Sequence, residues 1–465
     1  MLFNSQAFLF FFLPLVLAGY YLLVPKAGRH AWLTACSYAF YAWWDWRFCG
    51  LLLLTTCVDY FAGRRVAAGR TPRRRKGWLA FSLCADLGVL GFFKYYDLGA
   101  STANALAGLF PGTFALPLLH LALPVGISFY TFQAMSYTID IYRGEVRPAR
   151  RFIDFACYVS LFPQLVAGPI VRYRDLEAQL VRREHSWEKA GAGIALFVLG
   201  LAKKVLLADG IAPLADRAFG HAAPGLAAAW TGLLAYTLQI YFDFSGYSDM
   251  AVGLGLLFGF RFPVNFDSPY KATSITDFWR RWHISLSTWL KDYLYIPLGG
   301  NRKGAGRTYF NLFATMLLGG LWHGASWMFA GWGAYHGLLL AAERMNGKRG
   351  WLFRCPRPVQ TGFTFLLAMG GWLLFRSENA GVAKRMACGL LGLNGWGTAG
   401  APVRDAGLHA ALLVLGTVLV FSAKNTWEIK IRPTVPWCAA LLALFFLSLA
   451  AMLVNSSSPF LYFQF

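Results

Sequence analysis

The chain has 465 residues, of which 57% are hydrophobic and only 14% are charged, and its formal net charge at pH 7 is +21. A soluble domain would carry about 25% charged residues, so the composition excludes an ordinary soluble enzyme and indicates a polytopic membrane protein. The excess of Lys and Arg does not indicate nucleic acid, because these residues cluster in short loops between apolar runs, as the positive-inside rule describes.

Apolar runs long enough to cross a bilayer recur along the whole chain. They predict an all-α polytopic membrane protein with about 10 to 13 transmembrane or re-entrant helices in one domain, residues 1–465. The predicted spans lie at 2–24, 77–97, 122–141, 191–208, 226–242, 249–260, 308–323, 327–342, 360–375, 407–423 and 435–454. Residues 31–63 are too long for one span, and Asp45 and Arg47 interrupt them, which predicts a hairpin of two helices.

Basic loops orient the predicted helices. Lys and Arg concentrate at 64–76, 143–151, 172–189, 271–307 and 424–432, which predicts that these loops are cytoplasmic and that both termini lie outside. The segments 98–121 and 390–406 are rich in small residues and poor in charge, and we expect them to be outward-facing loops or re-entrant pieces. Residues 435–465 would form a final span followed by an extracytoplasmic tail.

Residues 277–293 predict an amphipathic helix lying at the membrane interface, with Thr276 as its N-cap. Its apolar stripe consists of Phe278, Trp279, Trp282, Leu286, Trp289, Leu290 and Tyr293. His283 falls on the apolar side of this helix, so we expect its ring to face the protein interior.

Two of the eight histidines, His283 and His323, are the strongest candidates for chemistry. His323 lies in an apolar run between Gly320 and Gly324, and an ionisable group at membrane depth is by default functional. An imidazole can accept a proton from a hydroxyl during acyl transfer. The structural alternatives are that His323 is hydrogen-bonded between helices and that His283 is an ordinary interfacial residue. For His336 the packing interpretation is favoured.

Several motifs of other enzyme classes are absent from the sequence. There is no GxSxG, P-loop, HExxH or CxxC pattern, which argues against a serine acyl-enzyme, ATP-driven transport and a zinc site, and we expect no metal. Asp243 and Asp249 lie in an aromatic segment. They could relay protons, but hydrogen bonds to Ser245, Ser248 or an arginine such as Arg280 are the favoured interpretation.

Several stretches together resemble the membrane-bound O-acyltransferase (MBOAT) family, and in particular its members that act in alginate O-acetylation. These stretches are 130–142, 162–169, 241–249, 277–301, 321–324 and the terminal Phe-Leu-Tyr-Phe-Gln-Phe of 460–465. The resemblance implies a ring of tilted helices around a central tunnel, with the acyl donor entering from the cytoplasm. It also implies that His323 is the essential histidine and His283 the second family histidine.

The resemblance further implies an O-acetyltransferase of the bacterial inner membrane, which passes acetyl from cytoplasmic acetyl-CoA outward for O-acetylation of an exopolysaccharide. It implies no bound cofactor, and it implies a periplasmic SGNH-hydrolase-like acetyltransferase as partner. The terminal pattern is similar to the tail of a small protein of teichoic-acid D-alanylation, whose tyrosine is thought to carry the acyl group. Tyr462 is therefore a possible acyl relay.

The basic stretch that follows residue 276 suggests where an anionic donor binds. We expect the phosphates of CoA to be attracted by Arg280, Arg281, Lys291, Arg302 and Lys303. Two alternatives remain at this point. One is a transporter or channel with proton-relay histidines, and the other is an enzyme of the same family acting on a lipid or a small hydroxyl compound.

Overall fold

The computed structural model describes residues 1–109, 115–347, 350–397, 405–429, 434–454 and 460–461. Every regular element in these ranges is a helix, so the all-α prediction is confirmed. The chain divides into two compact units, Met1–Gly193 with Leu254–Pro263, and Ile194–Gly253 with Val264–Phe465. We call them unit 1 and unit 2. The ring and tunnel implied by the family stay a prediction.

The first helices build unit 1. They are α1 (Leu13–Ala18), α2 (Arg29–Asp45), α3 (Arg47–Ala68), α4 (Pro72–Leu90), α5 (Tyr96–Ala107), α6 (Ile127–Arg143), α7 (Phe152–Ser160), α8 (Phe162–Leu165) and α9 (Tyr173–Val181). The predicted hairpin within 31–63 is confirmed, because α2 ends at Asp45 and α3 begins at Arg47. The Asp45 carboxylate accepts the backbone N–H of Arg47 at 3.0 Å and so holds the turn.

The core of unit 1 forms around α6, which carries the stretch 130–142. The Tyr137 ring packs against Phe155 at 4.2 Å and Tyr173 at 4.9 Å between centroids, and its hydroxyl accepts the backbone N–H of Ala149. A Cβ on Gly63 would come within 2.5 Å of the Tyr137 ring, so the glycine is what lets α3 approach α6. This family stretch therefore packs helices in unit 1.

The later helices build most of unit 2. They are α10 (Trp187–Ala202), α11 (Asp209–Gly220), α12 (Leu226–Leu257), α13 (Ile275–Arg281), α14 (Ile284–Leu290), α15 (Ala305–His323), α16 (Trp327–Met345), α17 (Arg357–Arg376), α18 (Ala380–Leu390), α19 (Ala406–Ser422) and α20 (Val435–Val454). The predicted spans at 308–323, 327–342, 360–375, 407–423 and 435–454 correspond closely to α15, α16, α17, α19 and α20.

Some predicted boundaries are wrong. The two spans predicted at 226–242 and 249–260 are one helix, α12, because Asp243 between them has a buried cationic partner and does not need a loop. Of the segment 98–121, predicted as an outward-facing loop or a re-entrant piece, residues 98–107 are helical and belong to α5. The short helices α7, α8, α9, α11 and α18 were missed, since none has a full-length apolar run. Of the predicted loop 390–406, residues 398–404 lie outside the described part.

Within the described residues, four continuous helical stretches are long and apolar enough to cross a membrane: Pro72–Ala107, Trp187–Gly220, Arg357–Arg376 and Val435–Val454. Two further apolar helical stretches, Ala7–Leu23 and Ala406–Ser422, are shorter. The most apolar of these helices, α20, is also the least buried by protein. Its surface is therefore the one that most needs lipid, as expected for a membrane span.

Helices α15 and α16 form a close hairpin that carries His323. A Cβ on Gly320 would overlap the carbonyl oxygen of Phe329, and a Cβ on Gly333 would overlap that of Met316. Small residues at a helix interface let two backbones meet at short range. Gly320 and Gly333 therefore serve the close packing of α15 against α16.

Candidate active site

The predicted helix 277–293 is not continuous, and this correction decides where His283 points. Helix α13 ends at Arg281, α14 begins at Ile284, and His283 between them has the left-handed backbone angle φ = 45°. Such a conformation is costly for a residue other than glycine and often marks a functional site. The break turns the His283 side chain into the interior of unit 2, where it is fully buried.

The start of α13 also differs from the prediction. Ser274, not Thr276, is the N-cap, and its hydroxyl accepts the backbone N–H of Asp277. The buried carboxylate of Glu343 on α16 accepts the N–H groups of Ile275 at 2.8 Å and Thr276 at 3.1 Å. A carboxylate at a helix N-terminus accepts hydrogen bonds from the backbone N–H groups that have no partner within the helix. Glu343 therefore ties α13 to the helix that follows His323.

Asn265 orients the His283 ring. Its Oδ1 accepts the Ser285 N–H at 3.2 Å and the Ser285 hydroxyl at 2.9 Å, which identifies this atom as the oxygen. The same oxygen lies 3.1 Å from His283 Nδ1. Because an amide oxygen cannot donate, Nδ1 must carry the proton.

The protonation state of His283 then follows. His283 lies between α13 and α14, outside the apolar spans, and burial lowers the pKa of its imidazole to about 3. The ring is therefore neutral at pH 7. With the proton on Nδ1, the lone pair is on Nε2, which can accept a hydrogen bond or a proton.

His323 is the last residue of α15 and is buried among aromatic rings. Its ring centroid lies 5.0 Å from Trp322, 5.1 Å from Trp332 on α16 and 5.2 Å from Phe375 on α17. At the C-terminus of a helix the unsatisfied carbonyls carry partial negative charge, which stabilises a positive charge formed there. An imidazolium formed transiently on His323 would thus be favoured by its place on α15.

The structure brings the two predicted histidines together. Their ring centroids are 6.4 Å apart, although 40 positions separate them in sequence. Trp322 contacts both, lying 6.1 Å from His283 between ring centroids. Two buried imidazoles beside an indole form a site able to move a proton in an apolar environment, as acyl transfer requires.

His336 is close to this site but differs from it. Its ring stacks on Phe278 at 6.3 Å and lies 5.1 Å from Trp279 and from Trp332. Within the described ranges neither ring nitrogen has a hydrogen-bond partner, and a Cβ on Gly371 would overlap Nε2. These contacts are those of a ring packed between α13, α16 and α17.

The two aspartates of α12 are paired with lysines of the preceding helical segment. Asp249 lies 2.7 Å from the Lys203 ammonium, and Asp243 lies 2.7 Å from that of Lys204. The favoured interpretation, that they hold helices together, agrees with these contacts, but the partners are lysines and not Arg280. Ser248, one of the expected partners, instead accepts a hydrogen bond from Asn265.

The predicted donor-binding cations fall into two groups. Arg280, Lys291, Arg302 and Lys303 are exposed. Arg281 is half-buried, and its Nε donates to Asp277 at 2.9 Å. Tyr462 lies outside the described residues, whereas Phe460 and Leu461 before it are described and buried.

Sequence reasoning missed four residues that shape the site. Asn265 and Glu343 gave no signal, since neither lies next to His283 or His323 in sequence. Lys203 and Lys204 did give one, because two cations inside an apolar run require partners at membrane depth.

Comparison with known proteins identifies the family. Residues 146–361 match the membrane-bound O-acyltransferase family, MBOAT. The probable alginate O-acetylase AlgI of Pseudomonas putida is 46% identical over 100% of both chains. The chain belongs to the MBOAT family. This MBOAT protein is thus a membrane protein and an O-acyltransferase, which supports the enzyme over the transporter alternative, and the matched range contains both His283 and His323.

Two further relatives are named for other polymers. The peptidoglycan O-acetyltransferase of Helicobacter pylori is 35% identical over 100% of this chain and 98% of its own. The teichoic acid D-alanyltransferase of Bacillus subtilis is 29% identical over 49% of this chain and 62% of its own.

Proposed function

We propose that this acyltransferase takes acetyl from cytoplasmic acetyl-CoA and passes it across a bacterial inner membrane for O-acetylation of an alginate-like exopolysaccharide. The observation that carries the proposal is the pair of buried imidazoles, His283 and His323, with ring centroids 6.4 Å apart. The relatives named for alginate and peptidoglycan support a polysaccharide as the final acceptor.

In the proposed reaction His323 is the base. It takes the proton of the attacking hydroxyl, the oxygen adds to the thioester carbonyl, and the thiolate of CoA leaves and recovers that proton. His283 has its lone pair on Nε2 and accepts a hydrogen bond from a donor in the site, which fixes the orientation of that group. Holding thioester and hydroxyl together in one apolar site supplies the advantage of proximity.

The proposed first acceptor is the phenol of Tyr462. A phenol has an ordinary pKa near 10 and requires a base before it attacks a thioester, and His323 is the proposed one. The acetyl ester on Tyr462 would then pass to a periplasmic SGNH-hydrolase-like acetyltransferase, which modifies the polymer. Support comes from Phe460 and Leu461, which are buried in the same unit as both histidines.

The donor is proposed to bind at the exposed cations Arg280, Lys291, Arg302 and Lys303. They lie in the chain segments just before and after the break at His283 and up to the start of α15. CoA carries several negative charges, so attraction by this basic stretch would concentrate the donor at the cytoplasmic face. Arg281, predicted with them, is half-buried and paired with Asp277 at 2.9 Å, whereas the exposed Lys291 lies 3.6 Å from Asp292.

One labelling experiment tests the proposal. The full-length protein in nanodiscs receives acetyl-labelled CoA, and both free CoA and label on the chain are measured. Wild type should release CoA and carry label on Tyr462. His323→Ala should lower CoA release by about 10²- to 10⁴-fold, the usual contribution of a general base. Tyr462→Phe should abolish label on the chain.

The control is His221→Ala, which removes a histidine of the loop after α11 and should leave both signals at the wild-type level. Undiminished CoA release by folded His323→Ala would refute its role as base. Normal polymer acetylation by Tyr462→Phe would refute the relay. Label found on lipid would favour the lipid-acting alternative.

A further inference from the structure

Two residues of the C-terminal segment, Phe460 and Leu461, are inserted into the core of unit 2. Phe460 is 1% exposed and Leu461 is 8% exposed. Leu461 belongs to the same apolar cluster as Tyr236 and Phe242 of α12. Apolar tail residues are expected to be buried in an apolar site and not exposed to water, and Phe460 and Leu461 are buried in this way.

The tail residues contact a buried ion pair. The backbone N–H of Leu461 donates to Asp243 Oδ2 at 3.0 Å. Asp243 Oδ1 lies 2.7 Å from the Lys204 ammonium, and these two side chains are 2% and 1% exposed. Lys204 also contacts Asp209 at 2.7 Å.

Aromatic contacts hold Phe460, the residue before Leu461. The Phe460 ring lies 5.0 Å from the Lys204 ammonium and packs edge-on against Tyr247 at 4.4 Å. A cation over an aromatic face is attracted most strongly where both are desolvated. Backbone and side chain of the tail thus converge on Lys204 and Asp243.

The pair contacts two helical segments, but helix packing by itself does not require charges at this depth. Removing two charges from water costs free energy that their attraction only partly offsets, and apolar residues often hold helices equally well. A hydrogen bond from a backbone N–H to a buried carboxylate, however, is stronger than a neutral one. A charged acceptor at this position therefore has a specific use in binding the tail.

A second pair on the same helices provides the comparison. Lys203 and Asp249 are also 2.7 Å apart, but they are 18% and 15% exposed. Their third partner is Thr426, whose hydroxyl donates to Asp249 at 2.8 Å. The tail contacts given above, from Leu461 to Asp243 and from Phe460 to Lys204, are with the more deeply buried pair. The two pairs thus differ in exposure and in their third partner.

We propose that Lys204, Asp243 and Tyr247 form a docking site that fixes the position of the C-terminal segment at Leu461. Because Tyr462 is bonded to Leu461, the docking site limits the reach of its phenol and makes Asp243 a positioning residue for acyl transfer. The consequence for acyl transfer rests on the proposed relay by Tyr462, whereas the docking itself does not.

Hydrogen exchange on the full-length protein in nanodiscs tests the docking without any chemistry. Mass spectrometry with residue-level fragmentation follows the amide of Leu461. In wild type this amide should be protected. Asp243→Asn replaces a charged acceptor by a neutral one and should speed its exchange by about tenfold. Asp249→Asn, the matched control on the same helix, should leave the exchange at the wild-type rate.

A tail-side variant keeps the test valid if Asp243→Asn folds poorly. Phe460→Ala removes the contact to Lys204 and Tyr247 without altering a helix, and it should also speed Leu461 exchange, whereas Phe460→Tyr should retain protection. Both Phe460→Ala and Asp243→Asn should lower the turnover of acetyl transfer by about tenfold and leave the KM for acetyl-CoA unchanged.

These experiments distinguish docking of the C-terminal segment from the proposed acyl relay by Tyr462. An unprotected Leu461 amide in wild type, or equal exchange in Asp243→Asn and Asp249→Asn, would overturn the docking site. If Tyr462→Phe is fully active while Asp243→Asn still releases Leu461, the relay is wrong and the docking site stands.

Discussion

At the scale of single residues, an amide side chain decides how a histidine can act. Asn265 accepts from Ser285 and from His283 Nδ1, and its amide nitrogen donates to Ser248. The lone pair of His283 is consequently on Nε2 in the neutral ring. An orienting partner of this kind selects one tautomer and one ring position, which matters as much as the histidine itself.

We expect Asn265→Ala to lower turnover by about 10- to 100-fold, the usual effect of removing the partner that orients a functional histidine. The measurement is a double-mutant cycle on acetyl transfer with His283→Ala. If Asn265 acts through His283, its replacement has no further effect once the histidine is gone. Independent, multiplying losses would show that Asn265 only supports the fold.

At the scale of elements, the hairpin of α15 and α16 positions His323. Gly320 on α15 and Gly333 on α16 each face a backbone carbonyl of the other helix with no room for a methyl group. Glu343, further along α16, holds the start of α13. Helix α16 thus positions both the end of α15 and helix α13, which leads to His283.

Gly333→Ala should therefore reduce stability by about 1–3 kcal/mol, the usual effect of overpacking, and should lower activity because α15 shifts. Gly331→Ala is the matched control, since a Cβ there meets nothing within 4 Å. Thermal unfolding of the two variants in the same detergent measures the difference. Equal unfolding temperatures would contradict the close packing of this hairpin.

At the scale of the whole molecule, charge and apolar surface have separate places. The net charge of +21 comes largely from short basic loops, while α20, the least buried of the four membrane-length helical stretches in the described residues, has no charged residue. Exposed cations attract anions over about 10 Å at 0.1 M salt, and this attraction is screened as salt rises. The basic stretch around α13 to α15 is therefore suited to collecting an anionic donor.

Replacing Arg280, Lys291, Arg302 or Lys303 by Gln should raise the KM for acetyl-CoA by up to about fivefold per charge, as expected for exposed ion pairs, with turnover nearly unchanged. Added salt should reduce the difference in KM between variant and wild type. Titrations of acetyl-CoA at two ionic strengths measure this difference.

Arg73→Gln, which removes an equal charge from the exposed first turn of α4, is the control for net charge. Arg281→Gln should instead lower thermal stability, because Arg281 is paired with Asp277. If Arg73→Gln raises the KM as much as the four proposed residues do, the donor does not bind at them specifically.

Much of the helical framework was predictable from the sequence alone. Apolar runs located α15, α16, α17, α19 and α20, and Asp45 and Arg47 marked the turn between α2 and α3, because burial in lipid requires long apolar segments and charge interrupts them. His283 and His323 stood out for the same reason. The family resemblance supplied the acyltransferase interpretation, and the comparisons confirmed it.

Only the tertiary structure decided which residues meet. Periodicity predicted an unbroken helix through His283, but the left-handed backbone at His283 breaks it, which no local propensity indicates. The ion pair of Lys204 with Asp243, the contact of that pair with Leu461 and the hydrogen bond from His283 to Asn265 join residues from separate segments. Sequence patterns indicate whether each segment is surrounded by lipid, water or protein. Which residues of different segments pair depends on three-dimensional packing, which no single segment encodes.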